Sequence, residues 1–202
     1  MAHDIAQAHG HEAAATNTGI TNRKLAFWLF LASECVFFAS LLIGFLVYGD
    51  KTNGGPGMEL FNINLTTIST FVLLMSSLAM VLGVNASQRG LARDAMKWIL
   101  ATAVMGQIFL GFQVYEFWHF VHEGFGLTTS PLSTAFFVLT GFHGAHVFVG
   151  ILWLLSLLWH GRRGGLTAEK SEAVEVGGLY WHFVDVVWIV IFTVIYLLPK
   201  VH

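Results

Sequence analysis

The chain has 202 residues, 55% of them hydrophobic and only 11% charged, with a mean hydropathy of +0.68. A soluble domain carries about a quarter charged residues, so the composition asks for lipid as the solvent. The net charge of −2 gives no basis for nucleic-acid binding, and a lone cysteine, Cys35, excludes an intrachain disulfide or a cysteine-built metal site. Cys35 is expected to be a small buried packing residue.

Residues 1–22 are polar, Ala-rich and without helical periodicity. They lack the basic start, short apolar core and cleavage pattern of a signal peptide, and read as a mobile N-terminal tail. His3, His9 and His11 lie there. His-x-His could hold a metal ion; a solvated tail is the plainer use.

Five apolar segments follow, at Leu25–Val47, Leu65–Ala86, Trp98–Trp118, Thr134–Trp159 and Tyr180–Leu198. Each is near the roughly 20 residues that a helix needs to cross a hydrocarbon core of about 30 Å. The runs are too long for strands and do not alternate. Proline occurs only at Pro56, Pro131 and Pro199, which read as two loops and a terminus. The expected fold is therefore all-α: a polytopic membrane bundle of five transmembrane helices, with residues 23–202 as one domain.

The loops set the topology. Arg23, Lys24, Arg89, Arg93, Lys97, Arg162, Arg163 and Lys170 fall on one side, and only Lys51 and Lys200 on the other. The positive-inside rule then puts the N-terminus in the cytoplasm and the C-terminus outside. Tyr48 and Trp118 would form the outer aromatic belt, and Trp98, Trp159 and Trp181 the inner one. Gly44, Ser76, Ser77, Gly83, Gly106, Gly111, Gly141, Gly144 and Gly150 are small enough to let helices approach closely. There is no internal repeat and no pair of broken helices, which weighs against a stand-alone proton or solute transporter.

Polar residues inside the spans are the candidate functional positions, because lipid penalises them unless they face partners. Glu34 is about 15 Å along the first span, near mid-membrane. A neutral acid costs less there than an ion, so Glu34 is expected to hold a proton or share one with His143 or His146. A proton-handling carboxyl and a hydrogen-bonded packing residue are both compatible with its position. His143 and His146 lie on one helical face, with Gly141 and Gly144 beside them. They read as a hydrogen-bonded structural pair; a haem or metal site would need more ligands at that depth. Glu116, with Gln113 and His119, is near the outer end of the third span. His182 and Asp185 are three residues apart near the inner end of the fifth, on one face.

ASECVFF at Ala32–Phe38, GFQVYEF at Gly111–Phe117, TGFHGAHVFVG at Thr140–Gly150 and YWHFVDVVWIVIFTVIY at Tyr180–Tyr196 resemble subunit III of the haem–copper terminal oxidases. The motifs fall in order, one per span, in four of the five helices. The resemblance implies a subunit without redox chemistry of its own and without cofactors, metal included. Haem and copper would be held by partner subunits, where oxygen is reduced to water with proton translocation. Subunit I and subunit II are the implied partners, with bound phospholipid, and a respiratory supercomplex is a further assembly. The implied roles are support of proton uptake, protection of the centre during turnover, and lipid holding. Glu34 matches the family's buried helix carboxylate, and His143, His146, His182 and Asp185 its paired polar positions. The five-span bacterial form, in the cytoplasmic membrane, fits better than the seven-span mitochondrial type. Glu rather than Asp in SECVFF favours a cytochrome c oxidase over a bacterial quinol oxidase of the bo3 type.

Overall fold

The computed structural model describes residues 22–164 and 171–198. All but the last residue of the expected tail lies outside them, as do Lys170, Lys200 and the C-terminus. The helices are α1 (Asn22–Tyr48), α2 (Ile63–Gln88), α3 (Ala92–His122), α4 (Pro131–Arg162) and α5 (Glu172–Phe192), with a short 3-10 turn at Met58–Leu60. A π-helical turn, Thr193–Leu197, continues α5. Five helices are long and apolar enough to cross a membrane, and no strand occurs among the described residues.

All five extend past the apolar runs in the sequence. The 31 residues of α3 reach about 46 Å at 1.5 Å per residue, so the helix outruns the hydrocarbon layer. Its polar first turns project, and there Lys97 Nζ lies 2.9 Å from Asp94 Oδ1. The end where α2 and α4 begin and α3 and α5 finish is called the upper end below.

The helix boundaries follow from local chemistry. Asn62 caps α2, its side chain accepting from the Leu65 N–H at 3.3 Å. Ser130 and Ser133 form a capping box at the start of α4. Pro131 is therefore not a loop residue but the first residue of α4, where its missing N–H costs nothing. α2 and α3 both end in Schellman turns. Leu91 N–H donates to Ala86 O at 2.9 Å around Gly90 (φ +72°), and Phe125 N–H to Phe120 O at 2.9 Å around Gly124 (φ +82°).

The chain separates into two compact units, Met1–Phe37 and Phe38–His202, with the boundary inside α1. In the first, Cys35 is exposed, contrary to expectation. Glu34 is half-buried. In the part of α1 that belongs to the second unit, Phe38 and Phe45 are buried, at 5% and 2% exposure, seven residues apart.

In the second unit, α2 packs on α3 and α5, and α4 packs on the same two helices. The four form a closed ring of antiparallel neighbours. With lipid outside, the ring is held by close packing and interhelical hydrogen bonds. Gly106 of α3 and Gly150 of α4 both lie against the Trp181 indole; a Cβ would clash with it at Gly106 and press on it at Gly150. Trp181 is 1% exposed, so it is a core residue rather than a belt residue, because α5 begins well before the apolar run at Tyr180. Tyr48, Trp98, Trp118 and Trp159 are exposed, as belt residues should be. A Cβ at Gly44, Gly111 or Gly141 would meet nothing within 4 Å among the described residues. Those three glycines are not contact points. The upper end is plugged by Phe61, whose ring lies 4.9 Å from Phe136, 5.3 Å from Phe120 and 5.3 Å from Tyr196.

Candidate functional site

The buried polar groups concentrate along the α2–α5 seam. α2 contributes Thr66, Thr70, Ser76 and Ser77, spaced to recur on one helical face. At the upper end Thr66 Oγ1 and Tyr196 Oη both reach Glu116 Oε1, at 2.9 and 3.0 Å. Glu116 is only 7% exposed, so these hydroxyls supply the donors a buried carboxyl requires. Tyr196 lies in the π-helical turn. That turn shifts the helical register of α5, a distortion frequent at functional positions.

Further down, Trp188 Nε1 donates to Thr70 Oγ1 at 2.9 Å, and Trp181 Nε1 donates to Ser76 Oγ at 2.9 Å. Ser77 Oγ lies 2.8 Å from His182 Nδ1. His182 thus meets a serine of another helix, while Asp185 Oδ1 has no hydrogen-bond partner among the described residues. The pair lies near mid-helix rather than at the inner end, because α5 starts at Glu172.

An indole N–H donates and cannot accept. Trp188 and Trp181 therefore use their single N–H groups on Thr70 and Ser76. Asp185 and Tyr196 are about 16 Å apart along α5 at 1.5 Å per residue. The Glu116 cluster and the Ser77 cluster are two separate polar centres, and the indoles between them bind α5 to α2.

His143 and His146 do not form a hydrogen-bonded pair. His143 is fully buried, with its ring 4.9 Å from Trp188 in a stacked arrangement, and neither ring nitrogen has a hydrogen-bond partner among the described residues. His146 is half-buried, with Nδ1 2.7 Å from Phe142 O. The 100° step per residue separates the two rings more than their shared face suggested. Phe38 packs on both, at 6.4 and 5.0 Å. Gln113 Nε2 donates to Thr140 O at 2.6 Å, and its side chain fills the space left by Gly144. Among the described residues, no three His, Cys, Asp or Glu side chains come together in a group able to hold a metal ion.

Glu116, His182 and Asp185 were visible as candidates in the sequence; their partners Thr66, Ser77 and Tyr196 were not. The signal was present, since Thr66, Ser69, Thr70, Ser76 and Ser77 recur at helical spacing in an otherwise apolar run.

This geometry defines a polytopic membrane protein whose buried polar groups tie helices together around two separate carboxyl centres. Comparison with known proteins gives the particular family. The family model for cytochrome c oxidase subunit III matches residues 2–199. Cytochrome c oxidase subunit 3 of Bacillus sp. (strain PS3) is 44% identical over 181 residues, 89% of this chain and 87% of the relative. Quinol oxidase subunit 3 of Bacillus subtilis is 44% identical over 176 residues, 86% of each chain. Cytochrome bo(3) ubiquinol oxidase subunit 3 of Pseudomonas aeruginosa is 37% identical over 198 residues, 98% of this chain and 93% of the relative. The chain belongs to the cytochrome c oxidase subunit III family.

Proposed function

We propose that the chain is the accessory subunit III of a haem–copper terminal oxidase in the bacterial cytoplasmic membrane, docked on subunits I and II. The observation that carries this reading is 44% identity across nearly all of both chains to subunit 3 of such an oxidase. It is supported by the scatter of buried polar residues into structural centres. Haem and copper belong to the partner subunits, and this chain contributes support of proton uptake, protection during turnover, and contacts with phospholipid. The complex is expected to survive depletion of this chain, reducing oxygen at first and losing activity on sustained turnover. A depleted complex with no haem–copper centre and no initial activity would overturn the accessory role.

The electron donor has two readings. Glu34 in SECVFF favours cytochrome c, whereas a quinol oxidase subunit at the same 44% identity favours a quinol. Oxidation of reduced cytochrome c against a ubiquinol or menaquinol by the purified complex decides between them.

The proposed orientation, N-terminus in the cytoplasm and C-terminus outside, rests on the asymmetry of the Lys and Arg residues. Activity of a cytoplasm-dependent reporter fused after His202 would reverse it. Glu34 is proposed to handle protons for the complex. Glu34→Gln should leave assembly intact and hasten the loss of activity during turnover. Unchanged turnover and lifetime would reduce Glu34 to a packing residue.

A further inference from the structure

In the Glu116 cluster, the Thr66 hydroxyl has two acceptors within reach and one hydrogen to give. Thr66 Oγ1 lies 2.9 Å from Glu116 Oε1 and 2.9 Å from Asn62 O. A hydroxyl carries one hydrogen and two lone pairs, so Thr66 donates to only one of the two at a time. Tyr196 Oη lies 3.0 Å from the same carboxyl oxygen. Thr66, Tyr196 and Glu116 are all buried, at 1%, 2% and 7% exposure, so their hydrogens have to be placed among themselves and the backbone.

Both placements of the Thr66 hydrogen leave the cluster satisfied, and they differ by one proton on Glu116. With the carboxylate ionised, Thr66 and Tyr196 both donate to Oε1. Asn62 O then keeps the Thr66 backbone N–H, at 3.1 Å. With a proton on Oε1, the acid donates to Thr66 Oγ1, Thr66 turns its own hydrogen to Asn62 O, and Tyr196 still donates to Oε1. The change is a rotation about the Thr66 Cβ–Oγ1 bond, and no heavy atom has to move. A carboxyl held for one form alone would be left with an unmatched hydrogen or lone pair in the other, which a membrane interior penalises.

Few other charges bear on this carboxyl. Among the described residues it makes no salt bridge. α2 has no titratable residue along its whole length, and α4 has none before His143. The π-helical turn brings Tyr196, already bonded to Oε1, with Asp185 about 16 Å further down α5. The α1–α2 connection adds exposed Asp50 and Lys51, and Glu59, whose Oε1 accepts from the Gly57 N–H at 3.2 Å. On α3 itself, half-buried His119 is one turn further on, followed by exposed His122 and Glu123. Glu116 is near the end of α3, which finishes at His122, about 9 Å away at 1.5 Å per residue. The upper surface is thus the nearer source of protons.

We propose that Glu116 is a reversible proton-binding site reached from the upper end, with Thr66 as the hydroxyl rotor that serves both of its forms. A proton from water adds to Oε1 and the carboxylate becomes a neutral acid; release is the reverse step, returning the proton to water. Tyr196 is a positioning residue that donates to Oε1 in both forms. The site is on a different helix from Glu34 and depends on neither the electron donor nor the partner subunits.

The test is pH-dependent infrared difference spectroscopy on the chain purified from its native membrane with whatever subunits it carries, beside Glu116→Gln, Thr66→Val and Thr66→Ser. The expected result is a protonated-carboxyl band that is missing from Glu116→Gln. It should fade as the pH is raised and return as it is lowered, over the range in which circular dichroism shows the helices intact. Thr66→Val removes the acceptor of the acid's proton and should displace the band, whereas Thr66→Ser should leave it in place. The absence of any carboxyl band that depends on Glu116 would overturn the site, as would a band that persists unchanged across that range. An undisplaced band in Thr66→Val would overturn the rotor. Solid-state NMR of the wild type with 13C-labelled glutamate and tyrosine gives a readout that needs no variant. The Glu116 carboxyl, identified by magnetisation transfer with Tyr196, should move between its acid and carboxylate shifts with pH, and a shift fixed at either value would equally refute the proposal.

Discussion

The α2–α5 seam and the α3–α4 contact around His143 are both buried and both rich in aromatic rings, yet their polar groups are treated differently. On the seam, the hydroxyls of Thr66, Thr70, Ser76 and Ser77 each meet a donor or acceptor from another helix. Around His143, among the described residues, Gln113 finds one partner for its amide and none for its carbonyl, and the imidazole finds none. Small hydroxyl side chains can also bond their own helix, as Thr70 does to Thr66 O and Ser76 to Leu73 O, so a seam built from them is satisfied almost wherever it lies. An imidazole has no such local escape at both nitrogens. A membrane interior thus holds helices with Ser and Thr cheaply, and places a fully buried histidine only where something further meets it.

The comparison can be broken most severely by steric means. Gly106→Leu pushes a side chain into the Trp181 ring and with it the Ser76 bond. Overpacking of this kind costs about 1–3 kcal/mol, and a tetrahedral branch against a fixed indole belongs at the upper limit. Gly111→Leu, on the same helix but facing open space, should leave the unfolding midpoint in detergent within error. Equal losses in the two variants would show that the indole seat is not what holds α3 to α5.

Glu116→Ala comes next. It strips the acceptor from the buried Tyr196 hydroxyl, while Thr66 can still donate to Asn62 O at 2.9 Å; the unsatisfied group costs roughly 1–3 kcal/mol. Glu116→Gln keeps an acceptor and should recover most of that. If Gln behaves like Ala, the charge rather than the hydrogen bonds holds the upper end. Trp188→Phe removes a single interhelical bond and part of the stack on His143. Bonds within membranes average about 0.6 kcal/mol and reach about 1.7, so the midpoint should fall by less than in Glu116→Ala. Ser77→Ala should cost least, with His182 half-buried and able to turn to other partners. A loss greater than that of Trp188→Phe would move the weight of the seam down to the His182–Asp185 centre.

Much of this architecture was legible in the residues. The long apolar runs, the missing charge and the basic loops define five membrane helices, because lipid leaves the backbone no other way to satisfy itself over such lengths. Glu116, His182 and Asp185 stand out for the same reason: charge in an apolar run is expensive. The motifs at Ala32–Phe38, Gly111–Phe117, Thr140–Gly150 and Tyr180–Tyr196 carried the family. What the residues could not specify was who meets whom. Glu116 is 50 residues from Thr66 and 80 from Tyr196, and Trp188 is 118 from Thr70. Such pairings depend on the rotation and depth of two helices at once, and on a π-helical turn that shifts Tyr196 off the regular register. The same freedom decided that His143 turns inward onto Trp188 while His146 stays at the half-buried edge, and that Trp181 fills the core instead of the interface. Periodicity along one helix sets which residues share a face, but only packing against the neighbouring helices sets what that face finds.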